Sequence, residues 1–395
     1  MKLWEIAELK AGWTPRRWVD EFWKNGTINW LKSWELKDSQ NIIEIEEKVT
    51  EEWIKKSSAK VFPKWTLLIA MYWVTAWEVW ILWVESSTNQ AVCSIIPKIE
   101  VNKIYLYWIL IFLRAKIRSE TFWGAQPNIS KEYLDHLQIP LPPLEIQNEI
   151  VQKMNEALRI KQEKEAEAKK LLESIDEFVL ADLGIEYEEV EEKKVFGLSL
   201  SELGESKRLD PFFNNPSFIF FRNLKSKYEV KSIEEIILET KTGLPVRSDN
   251  RIENGEYPYY GANWIIWYMD QFTYDGNYIV VWQDWYIWNH YVVHWKFWAS
   301  NHNWVMKLKE EINLYYIKSV LDVINYDYLV TGWVIPKLTR EALMSIKIPL
   351  PPLETQNKIA DEVSMRIEKA KRLESEAKEI YESAKREVES MILEG

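Results

Sequence analysis

Cysteine and histidine are scarce in this chain, and several catalytic signatures are missing. The single cysteine, Cys93, excludes a disulfide framework and a cysteine-based zinc cluster. The sequence contains no phosphate-binding GxxxxGKS/T loop, no HExxH zinc helix and no GxSxG nucleophile turn. His290, His294 and His302 fall in a strand-like aromatic region rather than on one helix face, so we interpret them as surface or ligand contacts rather than metal ligands. We expect no metal and no catalytic centre on this chain.

The charge is distributed unevenly along 395 residues, a length that predicts two or three domains. A net charge of −11 would disfavour a nucleic-acid partner if it were spread evenly. Residues 143–195 carry a net −7 and residues 352–395 a net −3, whereas 1–142 carry +1 and 196–351 carry −2. The two acidic segments have the pattern of exposed helices. The acidity of the whole chain therefore does not exclude DNA.

An internal repeat links the two halves of the chain. Residues 128–150 and 337–359 match at a constant offset of 209 residues, with 12 of 23 positions identical. Both copies contain IPLPPLE followed by x-Q-N-x-I. Because prolines forbid helix and ladder hydrogen bonds, we predict an extended connector and a helix that begins at the last proline. Glu145 or Glu354 then lies near the positive end of the helix dipole.

Each copy of the repeat is followed by a long helical pattern. After Pro352, apolar residues recur at steps of three and four, which is typical of a helix that packs along a partner helix. A helix over 143–180 would span on the order of 55 Å. Neither helix has a globular core of its own, so we predict that the two pack antiparallel. The predicted segments are a first globule (1–142), a central helix and linker (143–195), a second globule (196–351) and a C-terminal helix (352–395).

Tryptophan is unusually abundant and glycine unusually rare. The chain has 23 tryptophans and 12 glycines, although glycine usually makes up about 7% of a protein. Just before the repeat, at the same offset of 209, Trp123-Gly124 aligns with Gly332-Trp333, so each copy has glycine where the other has tryptophan. No packing argument makes the largest and the smallest side chain interchangeable. Our hypothesis is that many of these tryptophans are glycines, encoded by UGA codons that the source cell reads as glycine.

The tryptophans in aromatic or apolar contexts are interpreted as genuine, and they are Trp23, Trp30, Trp108 and Trp304. The alternative to recoding is an aromatic surface that stacks on sugars or single-stranded nucleic acid. The choice matters for residues 65–84, which have one charge, Glu78, and resemble a membrane span if read literally. With glycine at its five tryptophan positions the segment becomes strand and turn. No charged-then-apolar leader is present either, so we expect a cytoplasmic protein.

Two globules, each followed by a helix that opens with IPLPPLExQ, resemble the DNA specificity subunits of type I restriction-modification enzymes. The resemblance covers essentially the whole chain. The motifs that carry it in the globules are KLWEI at 2–6, GWTP at 12–15, GTINW at 26–30, KWTLL at 64–68, YYGAN at 259–263, YDG at 274–276 and ASNH at 299–302. The positions at which that family commonly has glycine are Trp4, Trp13, Trp65, Trp73, Trp264, Trp285 and Trp333.

The resemblance implies a non-catalytic DNA-reading scaffold of α+β or α/β class. Each globule would be a target recognition domain that contacts one half of a split, asymmetric sequence in double-stranded DNA, and an antiparallel coiled coil would set the spacing. The implied partners are DNA, two methyltransferase subunits and restriction (helicase-nuclease) subunits, with no membrane. S-adenosylmethionine, ATP and Mg²⁺ would belong to those subunits, with no cofactor on this chain.

Candidate DNA contacts are residues near predicted loops whose side chains can donate to phosphates or base edges. In the first globule they are Arg16, Arg17, Lys24, Lys32, Ser86, Ser87, Thr88, Asn89 and Gln90. In the second they are Arg247, Arg251, Tyr260, Asn263, Asn289, His290, Lys296 and His302. The repeated blocks are expected to hold two like partner subunits, because they are nearly identical. The predicted partner contacts are Leu144, Glu145, Gln147, Ile150, Leu353, Glu354, Gln356 and Ile359.

Two other classes compete with this interpretation. A carbohydrate- or ligand-binding surface protein would use the aromatic residues directly. A fused methyltransferase or nuclease is disfavoured because its motifs are missing. Neighbouring genes for methyltransferase and helicase-nuclease subunits would fit only the specificity subunit.

Overall fold

The computed structural model describes residues 1–35, 45–72, 75–120, 129–185, 197, 224–246, 255–261, 265–283, 290–324, 326–330 and 337–394. Its α-helices are α1 (Leu3–Ile6), α2 (Glu51–Lys56), α3 (Lys103–Glu120), α4 (Lys131–His136), α5 (Leu144–Asp182), α6 (Ile233–Ile236), α7 (Leu314–Val323), α8 (Arg340–Ser345) and α9 (Leu353–Glu394). Short 3₁₀ helices are Asp20–Phe22, Ser33–Glu35 and Asp327–Leu329.

The strands before the second globule are β1 (Ala7–Ala11), β2 (Ile28–Leu31), β3 (Lys48–Val49), β4 (Leu67–Ala70), β5 (Val79–Ile81), β6 (Ser87–Thr88) and β7 (Val92–Pro97). Those of the second globule are β8 (Val230–Ser232), β9 (Ile237–Thr242), β10 (Tyr257–Tyr260), β11 (Ile265–Met269), β12 (Tyr274–Asp275), β13 (Tyr278–Trp282), β14 (His290–Val293), β15 (Lys296–Ala299), β16 (Asn303–Leu308) and β17 (Lys347–Pro349).

The chain divides into two compact units. Unit 1 consists of residues 1–164 and 375–395, and unit 2 consists of residues 165–374. The predicted segments treated each long helix as a separate element, whereas the structure divides both α5 and α9 between the units. The reason is that each part of a helix shares an apolar core with the globule of its own unit.

Unit 1 is built on the antiparallel sheet β1-β7-β4-β5, with a second sheet β3-β2-β6. All four residues of β4 are buried, as expected for an apolar central strand. Helix α3 connects the core to the long helices: the indole N–H of Trp108 donates to Asn155 of α5 at 3.3 Å, and its ring lies 6.4 Å from that of Tyr381 of α9. Met154 and Val388 complete the same apolar core.

Unit 2 repeats the order of elements found in unit 1. Its sheet β9-β16-β13-β14 corresponds strand for strand to β1-β7-β4-β5, and β11-β10-β15 corresponds to β3-β2-β6. Even the parallel pairs match, since β2 pairs parallel with β6 and β10 pairs parallel with β15. Helices α7 and α8 take the chain positions of α3 and α4. The repeat detected over 23 residues therefore extends through both globules.

The described sheets are mainly antiparallel, which favours α+β over α/β among the two predicted classes. Both long helices begin one residue after the predicted proline, α5 after Pro143 and α9 after Pro352. The two run antiparallel within each unit. The ion pairs that join them are Lys153–Glu387 and Lys164–Glu376 in unit 1, and Lys369–Glu167 and Lys358–Asp182 in unit 2. None of the described helices combines the length and apolarity that crossing a bilayer requires.

Among the described residues, three tryptophans adopt a backbone conformation that favours glycine. The φ angles of Trp65, Trp77 and Trp295 are 67°, 74° and 75°. A left-handed conformation costs a bulky L-residue about 1–2 kcal/mol, and glycine adopts it freely. The four tryptophans interpreted as genuine lack this feature, and each donates its indole N–H to a protein oxygen at 3.0–3.3 Å. Six of the questioned positions lie outside the described residues: Trp73, Trp123, Trp264, Trp285, Trp288 and Trp333.

Candidate nucleic-acid interface

In unit 1, the loop that follows β1 meets the turn between β6 and β7. The N–H of Gly12, which follows β1, donates to the Val92 carbonyl at 3.0 Å, and the next N–H, of Trp13, donates to the Thr88 carbonyl at 2.9 Å. A Cβ at Gly12 would lie 2.2 Å from the carbonyl oxygens of Thr88 and Asn89. Since real Cβ atoms do not approach so closely, glycine is required here, and loop and turn form one continuous surface.

Unit 2 has the same construction at the equivalent place. Gly243 follows β9 and donates to the Asn303 carbonyl at 3.1 Å, and Leu244 donates to the Ala299 carbonyl at 2.9 Å. A Cβ at Gly243 would lie 2.0 Å from the Ser300 carbonyl oxygen. Loops carried on a rigid sheet are the usual location of recognition residues, so this duplicated loop and turn is the candidate interface.

The loop of residues 13–17 is held at both ends by indole groups. Trp30 donates its indole N–H to the carbonyl of Trp13, and Trp23 donates its own to the carbonyl of Arg16, both at 3.1 Å. The two indole rings meet edge to face with centroids 5.2 Å apart. These contacts fix the loop backbone without using its side chains.

Arg17 lies in a cluster of opposite charges. Its guanidinium carbon is 4.1 Å from the ring centroid of Trp23, and it donates two hydrogen bonds to Glu47. Glu47 also accepts from Lys32 Nζ at 2.7 Å. Burial alone would raise the pKa of the Glu47 carboxyl, but the hydrogen bonds from Arg17 and Lys32 outweigh it and lower the pKa. Lys32 is 2% exposed and contacts Glu46 as well, so its charge is balanced inside the unit.

The predicted DNA contacts of unit 1 fall into two groups. The exposed ones are Arg16, Arg17, Lys24 and Gln90. Lys24 pairs with Asp20, and the Gln90 side chain accepts a hydrogen bond from Thr14 across the loop and turn. The enclosed ones are Lys32, Ser86, Ser87, Thr88 and Asn89, at most 6% exposed. Their side chains are covered by unit 1 itself, so the prediction of DNA contact is corrected for these five.

The predicted contacts of unit 2 divide in the same way. Lys296 and His302 are exposed and Tyr260 is half-buried. The His302 ring stacks on Trp282 at a centroid distance of 5.9 Å. His290 is 4% exposed and is corrected to an interior residue. Four other candidates lie outside the described residues: Arg247, Arg251, Asn263 and Asn289.

His290 joins strand β14 to helix α7 and the segment that follows it. Its Nδ1 lies 2.9 Å from an Asp322 carboxylate oxygen, and its Nε2 is bound to the Tyr326 hydroxyl. Lys318, one turn before Asp322, pairs with the same carboxylate. Burial alone would raise the pKa of Asp322, but the hydrogen bond from His290 and the charge of Lys318 lower it. The contacts of His290 with Asp322 and Tyr326 therefore stabilise the packing of β14 against α7 within unit 2.

Asp322→Asn is expected to destabilise unit 2 by about 1–2 kcal/mol at neutral pH, a modest value because the carboxylate is partly screened by water. Because the folded-state pKa is lowered, the stabilisation is present above the unfolded pKa of about 3.9 and is lost as pH falls through the folded value. Urea unfolding at several pH values measures this. The difference between wild type and variant should shrink below about pH 4, and a difference independent of pH would contradict the assignment.

The repeated IPLPPLExQN motif forms an internal clamp. In unit 1 the Gln147 side chain accepts from the Asn102 N–H at 2.9 Å and donates to the Pro142 carbonyl at 2.8 Å. The Asn102 side chain bonds Asn148 at 2.8 Å, and the Tyr105 hydroxyl donates to the connector at the Pro140 carbonyl. The motif thus ties the start of α5 to the start of α3.

Unit 2 contains the same clamp. Gln356 accepts from the Asn313 N–H at 3.0 Å and donates to the Pro351 carbonyl at 2.9 Å. Four predicted partner contacts are at most 2% exposed, namely Gln147, Ile150, Gln356 and Ile359. Their side chains are used within their own unit, so the prediction is corrected for these four. Glu145, Leu353 and Glu354 are exposed and Leu144 is half-buried.

Sequence reasoning missed the carboxylates that organise the loop of unit 1. Glu47 lies on neither a recognisable motif nor the repeat, and the only available signal was its place in a run of acidic residues. His294, considered as a ligand contact, is bound by Asn277 and Tyr315 at 2.6 and 2.8 Å. Within the described ranges, no group of three or more His, Cys, Asp or Glu is placed to hold a metal ion.

The sequence matches a known protein family. The sequence model described as "Type I restriction modification DNA specificity domain" matches residues 1–173 and 225–379. A protein named as a type I restriction enzyme specificity subunit from Haemophilus influenzae is 33% identical over 151 residues, 37% of this chain and 39% of the relative. The MjaIX specificity subunit of Methanocaldococcus jannaschii is 30% identical over 156 residues, 38% of this chain and 35% of the relative. Each aligned region thus spans less than two fifths of the relative's own length.

Two solved structures have a similar fold. One is described as a type I restriction-modification S subunit from M. genitalium, with a TM-score of 0.55, 14% identity, 99% of this chain covered and 95% of that one. The other comes from work described as complex assembly and conformational transition of the type I R-M system, with a TM-score of 0.61 and the same identity and coverage. At 14% identity these likenesses show the fold alone.

Proposed function

The chain belongs to the type I restriction modification DNA specificity family, and from this membership we propose that it reads a bipartite, asymmetric sequence in double-stranded DNA. The observation that carries the proposal is the loop and turn repeated in the two units, each built on a glycine that no other residue can replace. Two domains that share one fold would each recognise one half-site of the DNA.

The side chains on the two surfaces support an asymmetric target. Unit 1 presents Gln90 in its turn, followed by the apolar Ala91, whereas unit 2 has Asn301 and His302 at the positions with equivalent backbone contacts. Side-chain amides favour adenine edges when they reach the major groove, and the imidazole of His302 gives unit 2 a group that Ala91 does not offer in unit 1, so the two turns present different side chains to the bases. One scaffold with two sets of side chains therefore reads two different half-sites.

The helices and the repeated motif support the proposed assembly. We propose that α5 and α9 act as a spacer and that the exposed starts of these helices hold two methyltransferase subunits, with restriction subunits joining the complex. Leu144 and Glu145 in one copy correspond to Leu353 and Glu354 in the other, so two like partners would meet like surfaces. S-adenosylmethionine, ATP and Mg²⁺ would act on the partner subunits, and this chain would supply the sequence specificity without catalysing a reaction.

The proposed function predicts a split methylation motif in the source cell. Mapping modified adenine across the genome should find one motif with two unlike half-sites and a fixed spacer. Methylation of this motif should disappear when the gene is deleted. Reintroducing the chain with residues 1–142 exchanged for those of a relative should change one half-site only. A change of both half-sites would contradict independent reading by the two units.

Spacer length offers a separate test. Because α5 and α9 pair with each other, one heptad must be added to both, and the boundary between residues 164 and 165 and that between 374 and 375 are suitable places. Adding about 10 Å of helix should change the number of spacer base pairs and leave both half-sites readable. An unchanged spacer with retained methylation would count against the proposed role of the helices.

A further inference from the structure

The loop of residues 13–17 carries two adjacent arginines in different surroundings. Arg17 is bound by Glu47 and lies against the rings of Trp23 and Trp30 at 4.1 and 5.3 Å. Arg16 is exposed and forms no ion pair with any residue that the structure describes. The sequence predicted the same role for both, and the structure separates them.

The charges near Arg17 are already balanced. Arg17 and Lys32 share the carboxylate of Glu47, and Lys32 has Glu35 and Glu46 within 3.8 and 3.1 Å. Two cations therefore face three carboxylates, and a DNA phosphate that approached Arg17 would meet the repulsion of Glu47. No carboxylate among the described residues faces Arg16 in this way, so its charge is available to a phosphate.

The backbone of the loop is hydrogen-bonded to its surroundings at Arg16. The Arg16 carbonyl accepts the indole N–H of Trp23, and the same indole ring stacks on Arg17. Glu47 holds Arg17 against that ring through two hydrogen bonds. A fixed backbone reduces the conformational entropy that Arg16 loses when it binds, which raises affinity without a new contact.

We propose that Arg16 contacts a DNA phosphate and that Arg17 is a positioning residue, held by Glu47, that keeps Arg16 in place. The assignment rests on the proposed function and specifies how unit 1 carries it out. It predicts different results for Arg16 and for the pair Arg17–Glu47, although Arg16 and Arg17 are adjacent in the same loop.

The first experiment measures binding of the full chain to a labelled duplex of about 30 base pairs and random sequence, since a phosphate contact is independent of sequence. Anisotropy titrations at about 50 to 200 mM salt give the slope of log affinity against log salt. Arg16→Ala should weaken binding roughly fivefold at low salt and reduce the slope by about 0.9. Lys169→Ala, which removes an exposed charge from α5, is the matched control and should change neither.

The second experiment uses the sign of the effect at Glu47. If Arg17 positions the loop, Glu47→Gln weakens binding, and it adds nothing further in the Arg16→Ala background. If Arg17 itself contacts DNA, Glu47→Gln frees it and removes a repelling charge, so binding becomes tighter and the slope steeper, which would overturn the assignment. Arg17→Lys keeps the charge but loses the bidentate hydrogen bonding to Glu47, so this variant should bind as weakly as Glu47→Gln. Retained affinity of Arg17→Lys would also overturn the assignment.

The outcomes separate this inference from the proposed function. A wild-type chain that does not bind the duplex would overturn both. A wild-type chain that binds while Arg16→Ala keeps its affinity and slope would overturn only the role of Arg16. Thermal unfolding of each variant shows whether the fold is kept, and Arg16→Ala leaves the packing intact because that side chain is exposed.

Discussion

Replacing Trp65 and Trp295 by glycine is expected to stabilise the units that contain them by about 1 kcal/mol each. Their φ angles of 67° and 75° are strained for tryptophan and free for glycine. The Trp295 side chain is 82% exposed, so little packing is lost there, whereas Trp65 is 44% exposed and loses a ring contact with Trp83 at 4.2 Å, which offsets part of its gain. For units of this size the melting temperature should rise by about 2–4 °C per substitution, as measured by scanning calorimetry.

Two controls separate backbone strain from loss of an aromatic side chain. Trp18→Gly removes an indole that is 79% exposed and has no positive φ, so the change should stay within about 0.5 kcal/mol. Trp30→Gly removes an indole that is 2% exposed and hydrogen-bonded to Trp13, and it should cost about 3–5 kcal/mol. A loss of stability at Trp65 and Trp295 would contradict the strain argument.

The gene itself provides the decisive observation for the recoding hypothesis. Codons 65, 77 and 295 should be TGA, whereas those for Trp30 and Trp108, which are buried and hydrogen-bonded, should be TGG. TGG at the three left-handed positions would exclude recoding there. The same observation bears on the competing aromatic-surface interpretation, because Trp65 and Trp295 are among its exposed side chains.

The long helices were predictable from local sequence patterns, whereas the common fold of the globules followed only from the family resemblance. Prolines and apolar residues at steps of three and four act locally, so Pro143 and Pro352 marked both helix starts. The equivalent glycines Gly12 and Gly243 are 231 residues apart, yet Gln147 and Gln356 are 209 apart. Length differences between the globules change the offset along the chain, so a search at one offset detects only the last part of the repeat.

The candidate site was predictable as a region but not as a set of side chains. Arg16 and Lys32 look alike in sequence, since both are basic and adjoin predicted loops. Only the fold brings Glu35, Glu46 and Glu47 around Lys32 and leaves Arg16 exposed. Burial and ion pairing depend on contacts distant in the chain, and sequence spacing does not encode them.

Gln147→Ala and Gln356→Ala are each expected to destabilise their own unit by about 2–4 kcal/mol. Each glutamine is 2% exposed and satisfies two backbone groups, an N–H at the start of a globule helix and a proline carbonyl in the connector. Alanine leaves both groups buried without partners, which costs about 1–3 kcal/mol per group before relaxation. Glu149→Gln, an exposed change in the same turn as Gln147, is the control and should have little effect.

Hydrogen exchange distinguishes this clamp from a partner-binding surface. Gln147→Ala should speed exchange at the amides of Asn102 and Tyr105 and leave those of Asn313 and Tyr316 unchanged, and Gln356→Ala should do the reverse. Because both glutamines are buried, any loss of binding by the proposed methyltransferase subunits should follow the loss of stability and recover when temperature is lowered. Lost partner binding with unchanged exchange and unchanged unfolding would show that the motif acts as a docking surface after all.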